Sequence, residues 1–281
     1  MDIMLDCLPC LLKQSLDAVR KTTNDERVHK KVVLKTAELL SKYKEFECSP
    51  ALCREIHNIV KQETGNSDPY FEIKQKDLAA AKRLYTSLNE FLSKKEDTLY
   101  WALKVGATGN NLDSAVYSNV DIKKCVGEEL EKEFALCNTE AFKEKLKTAK
   151  SMLIIGDNTG ETVFDKVMIE HLPKNLKVFY AVRNSPVIND VTEKEAIDSG
   201  LHKVATIISS GCNSPAAILS ECSDEFLKIF NSADIIISKG QGNFEALSEE
   251  KGNLFFLLKA KCSAIAKKIG VPLGSYIFKK S

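Results

Sequence analysis

The chain has 281 residues, and its 40 Lys and Arg face 39 Asp and Glu for a formal net charge of +1, which speaks against a strongly basic nucleic-acid binder. A composition that is 44% hydrophobic and 28% charged fits a soluble globular protein with a sizeable core and excludes a disordered one. With only 13 Gly and 7 Pro, a turn-dense all-β chain is disfavoured and helix should dominate.

Taken in chain order, the first part reads as helices. Apolar residues recur at helical spacing in Leu5, Leu8, Leu11, Leu12, Leu16 and Val19, then around Val32 to Leu40, and again at Leu78, Ala81, Leu84, Leu88 and Leu92. Thr98 to Val105 predicts another helix, stopped near Gly106 and Gly109. Glu128 to Cys137 and Thr139 to Lys150 predict two more, the second with Thr139 as N-cap. No apolar run is long enough to cross a bilayer, and the opening MDIMLDCLPCLLK lacks the basic segment of a secretory signal, so a cytoplasmic protein is expected.

The pattern changes near residue 150: four glycines precede it and nine follow. Short apolar runs, most with β-branched residues, appear at Met152 to Ile155, Val178 to Val182, Val204 to Ile208, Ile235 to Ile237 and Leu254 to Leu258, each followed by a turn residue or polar cluster and then a helical stretch. Strands alternating with helices imply parallel crossovers, hence an open α/β sheet with helices on both faces. Gly274 to Phe278 would add an edge strand. The expected architecture is therefore a three-layer αβα domain over residues 151–281, a helical domain over 1–105 and a helical connection over 106–150.

In open parallel sheets the ligand sits beyond the carboxyl ends of the strands, so polar residues directly after the apolar runs come first. The first run ends in GDNTGE (Gly156 to Glu161), the second in VRNSPVINDVT with Arg183 and Asp190, and the fourth in KGQGNFE with Lys239, Gly240, Gly242, Asn243 and Glu245. Asp157, Asn158 and Asp190 are oxygen donors of the kind hard divalent cations prefer; each also suits a helix cap. Lys239 beside two glycines could cradle a phosphoryl group, or be a solvated lysine on a tight turn. No Walker A loop, GxGxxG after the first strand, DxDx pair or GxSxG is present, which disfavours nucleotide binding by those devices, haloacid-dehalogenase chemistry and a serine triad.

Before residue 150, GNNLD (Gly109 to Asp113) and GNSDPY (Gly65 to Tyr70) read as loops of turn formers. His29, His57, His171 and His202 show no paired metal spacing. Nine cysteines at irregular spacings argue against a disulfide framework. Cys7 and Cys10 form CxxC, with Cys48 and Cys53 downstream, but packed thiols account for them better than a structural metal or a redox pair. Cys125, Cys137, Cys212, Cys222 and Cys262 read as small buried side chains.

Together these motifs carry a resemblance. CLPC with LLKQSLDA, EIHNIVKQETGNSDPY, GN..D at Gly109, Asn110 and Asp113, then GDNTGE, VRNSPVINDVT and KGQGNFEAL resemble, in order and nearly end to end, the metal-dependent damage-control phosphatases, also called domain of unknown function 89, in their compact prokaryotic branch. The resemblance implies a helical domain packed on a Rossmann-like αβα domain, with a metal at the strand ends. It places Asp157, Asn158 and Asp190 at the divalent ion (magnesium, manganese, cobalt or nickel) and Lys239 at the phosphate. Asn110, Asp113, Arg183, Asn243 and Glu245 become cleft residues, and Asn111 stands where an apolar residue is commoner.

The implied activity is hydrolysis of phosphate monoesters of small metabolites such as sugar phosphates. A metal-activated water would attack while Lys239 and the Gly240 to Gly242 amides stabilise phosphoryl charge. Asp157 fits a metal ligand better than a nucleophile, given Asn158 beside it. The expected partner is a small phosphorylated metabolite, with no nucleic acid and no membrane. A non-catalytic metal or phosphometabolite-binding protein is the main rival, and a thiol protein built on Cys7 and Cys10 the second.

Overall fold

The structure, a computed structural model, describes residues 1–109 and 122–281. Three helices open the chain: α1 (Cys7–Arg20), α2 (Glu26–Leu40) and α3 (Ser49–Thr64). Asp25 caps α2 by accepting from the Arg27 N–H, Pro50 sits in the first turn of α3, and Gly65 ends α3 at φ +67°. The three pack through their apolar stripes, Leu11 with Leu40, Leu52 and Ile56, and Ala18 and Val19 with Val32 and Val60. α4 (Phe71–Leu92) and α5 (Thr98–Thr108) then cross to the sheet layer. The apolar residues of α4 named from the sequence join the same core as Val163, Phe164 and Val167.

The rest of the described chain alternates: α6 (Ile122–Leu130), β1 (Phe134–Cys137), α7 (Thr139–Leu146), β2 (Ser151–Ile155), α8 (Glu161–Glu170), β3 (Lys177–Val182), α9 (Glu193–Asp198), β4 (Thr206–Ser209), α10 (Asp224–Ser232), β5 (Ile235–Lys239), α11 (Gly240–Leu247), β6 (Leu254–Lys259), α12 (Ser263–Ile269) and β7 (Tyr276–Lys280). The seven strands form one sheet in the order β1-β7-β6-β5-β2-β3-β4. β6, β5, β2, β3 and β4 run parallel, β7 is antiparallel to β6, and β1 is parallel to β7. The strands are near-continuous apolar runs because both faces are covered. Met152, Ile154, Ile235 and Ile237 face the core containing α8, whereas Leu153, Ile155 and Ile236 face the core with Phe226, Phe244 and Ile265 of α10, α11 and α12.

Two sequence expectations are corrected. Glu128 to Cys137 is not one helix, since α6 ends at Leu130 and Phe134–Cys137 is β1. The C-terminal strand is not an edge strand: β7 is interior and β1 takes the edge. The chain builds β2, β3 and β4 outward to one side, then returns to place β5 and β6 on the other side of β2. The strand order therefore reverses between β2 and β5, and a crevice opens there at the carboxyl ends. No described helix is long and apolar enough to cross a membrane.

Candidate active site

Three of the sequence-selected residues meet at that crevice. The chain leaves β2 through Gly156, where a β-carbon would lie 2.8 Å from the Tyr180 ring, so only glycine passes. Asp157 follows, buried, and the loops after β2 and β3 are stitched together. The Val191 N–H donates to the Asp157 carbonyl (2.9 Å), the Thr159 N–H to the Asn189 carbonyl (2.9 Å), and Asn158 bridges Asp190. Neither loop uses these residues as caps. α8 starts from Gly160 with no side-chain cap, and α9 is capped by Thr192 and Glu195 in a capping box.

The surroundings hold the candidate donors in place. Arg183 Nε donates to Asp190 Oδ2 (2.7 Å) and Arg183 Nη2 to Asn243 Oδ1 (3.2 Å). Asn243 also accepts from the Ala217 N–H (2.8 Å) and donates to the Gly156 carbonyl (3.0 Å) and the Lys239 carbonyl (2.7 Å). Its amide is thus a buried staple across four chain segments. Asn158 Nδ2 faces Glu161 Oε1 (3.0 Å) and Asp157 Oδ2 (3.4 Å), which turns its Oδ1 away from both carboxylates. From GNSDPY, Asp68 pairs with Lys74 (2.7 Å), which also pairs with Glu195 (2.8 Å). That turn thereby braces the start of α9, and the Lys74 ammonium helps draw the Asp190 carboxyl down.

Charge is the main feature of the crevice. Burial, then Glu161 and Asp190, push the Asp157 carboxyl well above its ordinary range, against Lys261 and Arg183. Burial raises Asp190 to about 6 although Arg183 opposes it. Asp157, Glu161, Asp165 and Asp190 are four buried carboxylates beside two buried cations, Arg183 and Lys239.

Lys239 lies at the end of β5, but its ammonium does not line the cleft. Fully buried, it donates to Glu161 Oε2 (2.9 Å) and Asp165 Oδ1 (2.5 Å), and Tyr180 Oη donates to Asp165 Oδ2 (2.7 Å). Burial alone would lower the ammonium, but Asp165 and Glu161 outweigh it and hold it above its ordinary value. Among the described residues, the cation that lines the cleft is Lys261, in the loop after β6, an exposed side chain close enough to Asp157 to lower its carboxyl.

Above the crevice lies a cleft of about 580 Å³, walled on the helical side by Cys7, Cys10, Ser49 and Cys53 and on the sheet side by Gln241, Gly242, Glu245 and Cys262. Glu245 accepts from Gln241 Nε2 (3.0 Å) and is raised mainly by burial. Gly240 is tucked under Asp157, where a β-carbon would lie 1.9 Å from Oδ2. Cys10 and Cys137 are exposed rather than packed. Among the described residues no three His, Cys, Asp or Glu side chains cluster as a metal site. Asn110, Asn111 and Asp113 lie outside the described residues, as does the side chain of Cys125.

Sequence reasoning named Glu161 only within GDNTGE, without a role, and passed over Asp165 and Lys261. The signals were present: two acids four apart within a helix whose remaining residues are mostly apolar, and a lysine just beyond the carboxyl end of a strand.

Comparison with known proteins decides the family. The damage-control phosphatase ARMT1-like domain matches residues 3–277. The chain belongs to this family. Family membership supports a phosphatase role. The chain is 33% identical over 282 residues to a damage-control phosphatase of Pyrococcus horikoshii, covering 99% of this chain and 97% of that protein. It is 29% identical over 283 residues to a damage-control phosphatase of Archaeoglobus fulgidus, covering 97% of each. The crystal structure of a domain of unknown function 89 protein from Pyrococcus horikoshii superposes with a TM-score of 0.93 at 33% identity, covering 100% of this chain and 99% of that one.

Proposed function

We propose that this member of the damage-control phosphatase ARMT1-like family hydrolyses phosphate monoesters of small metabolites with a divalent cation held by Asp157, Asn158 and Asp190. The observation that carries the reading is the charge imbalance at the switch-point crevice, four buried carboxylates beside two buried cations. Burial raises Asp157 most, and the repulsion from Glu161 and Asp190 that adds to it is what a divalent charge would relieve. Two carboxylates and the Asn158 Oδ1, all hard oxygen donors, suit magnesium or manganese, and cobalt or nickel within the same set. When bound, such an ion supplies Lewis-acid charge to the phosphoryl oxygens and an activated water.

The chain's own residues do the rest. Arg183 fixes the Asp190 carboxylate, and the Lys239 salt bridges hold Glu161 under Asn158. Lys261 draws the anionic substrate in and sets positive charge at the mouth, with the Gly242 backbone at the first turn of α11 beside it. Gln241, Glu245 and the thiol-lined wall meet the alcohol portion of the ester. The cleft volume suits a ligand of metabolite size.

The test is phosphate release from a panel of sugar phosphates and nucleotides with magnesium, manganese, cobalt or nickel, before and after chelation. Turnover abolished by chelator and restored by an ion supports the reading. Binding of a phosphoester without release under every ion would replace it with a non-catalytic binding protein.

A further inference from the structure

The loop between β3 and α9 carries Asp190, and one residue in it has a backbone conformation that its own side chain opposes. The Asp190 N–H donates to the Val187 carbonyl (3.1 Å), which closes a four-residue turn over 187–190. At the first central position of that turn Ile188 has φ +41°, and among the described residues it is the one non-glycine residue with positive φ. Glycine is the usual occupant of such a position, because a β-carbon crowds the backbone there and a β-branched side chain crowds it most. Asn189, of a type that tolerates this region better, stands beside it and does not adopt it.

What holds Ile188 there lies outside the turn. Its half-buried side chain packs against both apolar clusters of the opening helices, the one with Leu11, Leu52 and Ile56 and the one with Val19, Val60 and Tyr70. Every other described hydrophobic residue of these two clusters falls within residues 3–73, so Ile188 is the one that the sheet layer contributes. Lys61 of α3 grips the same loop two residues earlier, donating to the Pro186 carbonyl (2.5 Å). From the opposite side the Thr159 N–H donates to the Asn189 carbonyl and Arg183 to the Asp190 carboxylate. The turn is thus clamped between the helical layer and the loop after β2.

We propose that Ile188 is a positioning residue for Asp190: its side chain, seated among the opening helices, holds the turn in a strained conformation and so sets the Asp190 carboxylate beside Asp157 and Asn158. The proposal rests on the reading of these three residues as ligands of the divalent ion. Anchorage and strain act against each other at Ile188. Alanine keeps the β-carbon and loses the anchor, so the turn relaxes toward negative φ and carries Asp190, two residues on, with it. Glycine loses the anchor too, but it adopts φ +41° without strain, and the Val187 to Asp190 hydrogen bond can keep the turn closed. A role in packing alone ranks variants by the apolar side chain they retain, valine above alanine above glycine. The positioning role puts glycine above alanine.

The experiment uses the whole chain, freed of metal, and two readouts without substrate: manganese calorimetry for ion affinity, and amide hydrogen exchange at the Asp190 N–H for the turn itself. Ile188→Val should match the parent in both. Ile188→Ala should bind manganese about tenfold more weakly and exchange the Asp190 amide faster. Ile188→Gly should recover most of the lost affinity, although it melts no higher than Ile188→Ala. Parent-like affinity and exchange in Ile188→Ala would overturn the proposal, as would an Ile188→Gly variant that binds manganese no better than Ile188→Ala. Should the parent bind no manganese, the ion reading fails and the exchange measurement alone decides: a faster Asp190 amide in Ile188→Ala supports the tether, and an unchanged one refutes it.

Discussion

Replacing Gly240 by alanine probes the geometry of the candidate metal site without removing any donor. Two effects arise and can be separated. Gly240 has φ +77°, a backbone region that costs a residue with a β-carbon about 1–2 kcal/mol. The new β-carbon would also lie 1.9 Å from Asp157 Oδ2 and 2.2 Å from its Cγ, so the carboxylate must move by about 1 Å, enough to cost about 100-fold in rate. Gly270 provides the matched control, since its φ is +83° and a β-carbon there would meet nothing within 4 Å. Both variants should melt a few degrees below the parent, at about 2–4 °C per kcal/mol. Phosphate release from p-nitrophenyl phosphate with manganese, together with manganese calorimetry, should then show Gly240→Ala about 100-fold slower with weakened ion binding and Gly270→Ala unchanged. Equal activity in the two variants would refute the claim that the Asp157 carboxylate sits at the reacting centre.

Three further outcomes follow from buried charges. Lys239→Met leaves Glu161 and Asp165 buried without their cation and should destabilise the protein by about 3–5 kcal/mol, whereas Lys261→Ala should leave the melting temperature unchanged and raise KM; the reverse pattern would return phosphate binding to Lys239. Burial, with Lys61 nearby, lowers His57 from its ordinary 6.5 to about 4, so the folded state binds fewer protons than the unfolded chain in that window. Stability should therefore fall by about 3 kcal/mol as the pH drops from 6.5 to 4, and His57→Phe should flatten that part of the denaturation profile. Lys104 is fully buried, its Nζ has no hydrogen-bond partner among the described residues and sits 3.3 Å from the Tyr276 ring centroid; burial lowers it to about 7 against the pull of Glu129. Lys104→Met should stabilise the protein by about 1–4 kcal/mol in calorimetry at neutral pH, and a lower melting temperature would contradict this.

Much of this was legible in the residues. Ile235 to Ile237 and Leu254 to Leu258 are apolar without interruption because both faces of the sheet are covered, so short length and the polar residues that follow, rather than a period, locate β5 and β6. β1 was not legible: four residues at an edge, FALC, carry too few turns of either period to stand apart from the helical residues before them. Interior placement of β7 depends on β1 pairing beyond it, a long-range fact with no local mark.

Within the candidate site, the strand-end rule selects Asp157, Asn158 and Asp190, but it says nothing of where a long side chain ends. Lys239 starts at the right place and turns inward because Glu161 and Asp165, one helical turn apart on α8, offer it two carboxylates in the core. The same rule, applied to the strand ending at Lys259, leads directly to Lys261.

The central claim is that Asp157, Asn158 and Asp190 hold a divalent cation. Anomalous diffraction from a crystal soaked with manganese tests it most directly. The account predicts one strong peak at about 2.1–2.3 Å from an oxygen of each of the three side chains. A peak held elsewhere in the cleft, or none at these residues in crystals of protein that turns over with manganese, would contradict it.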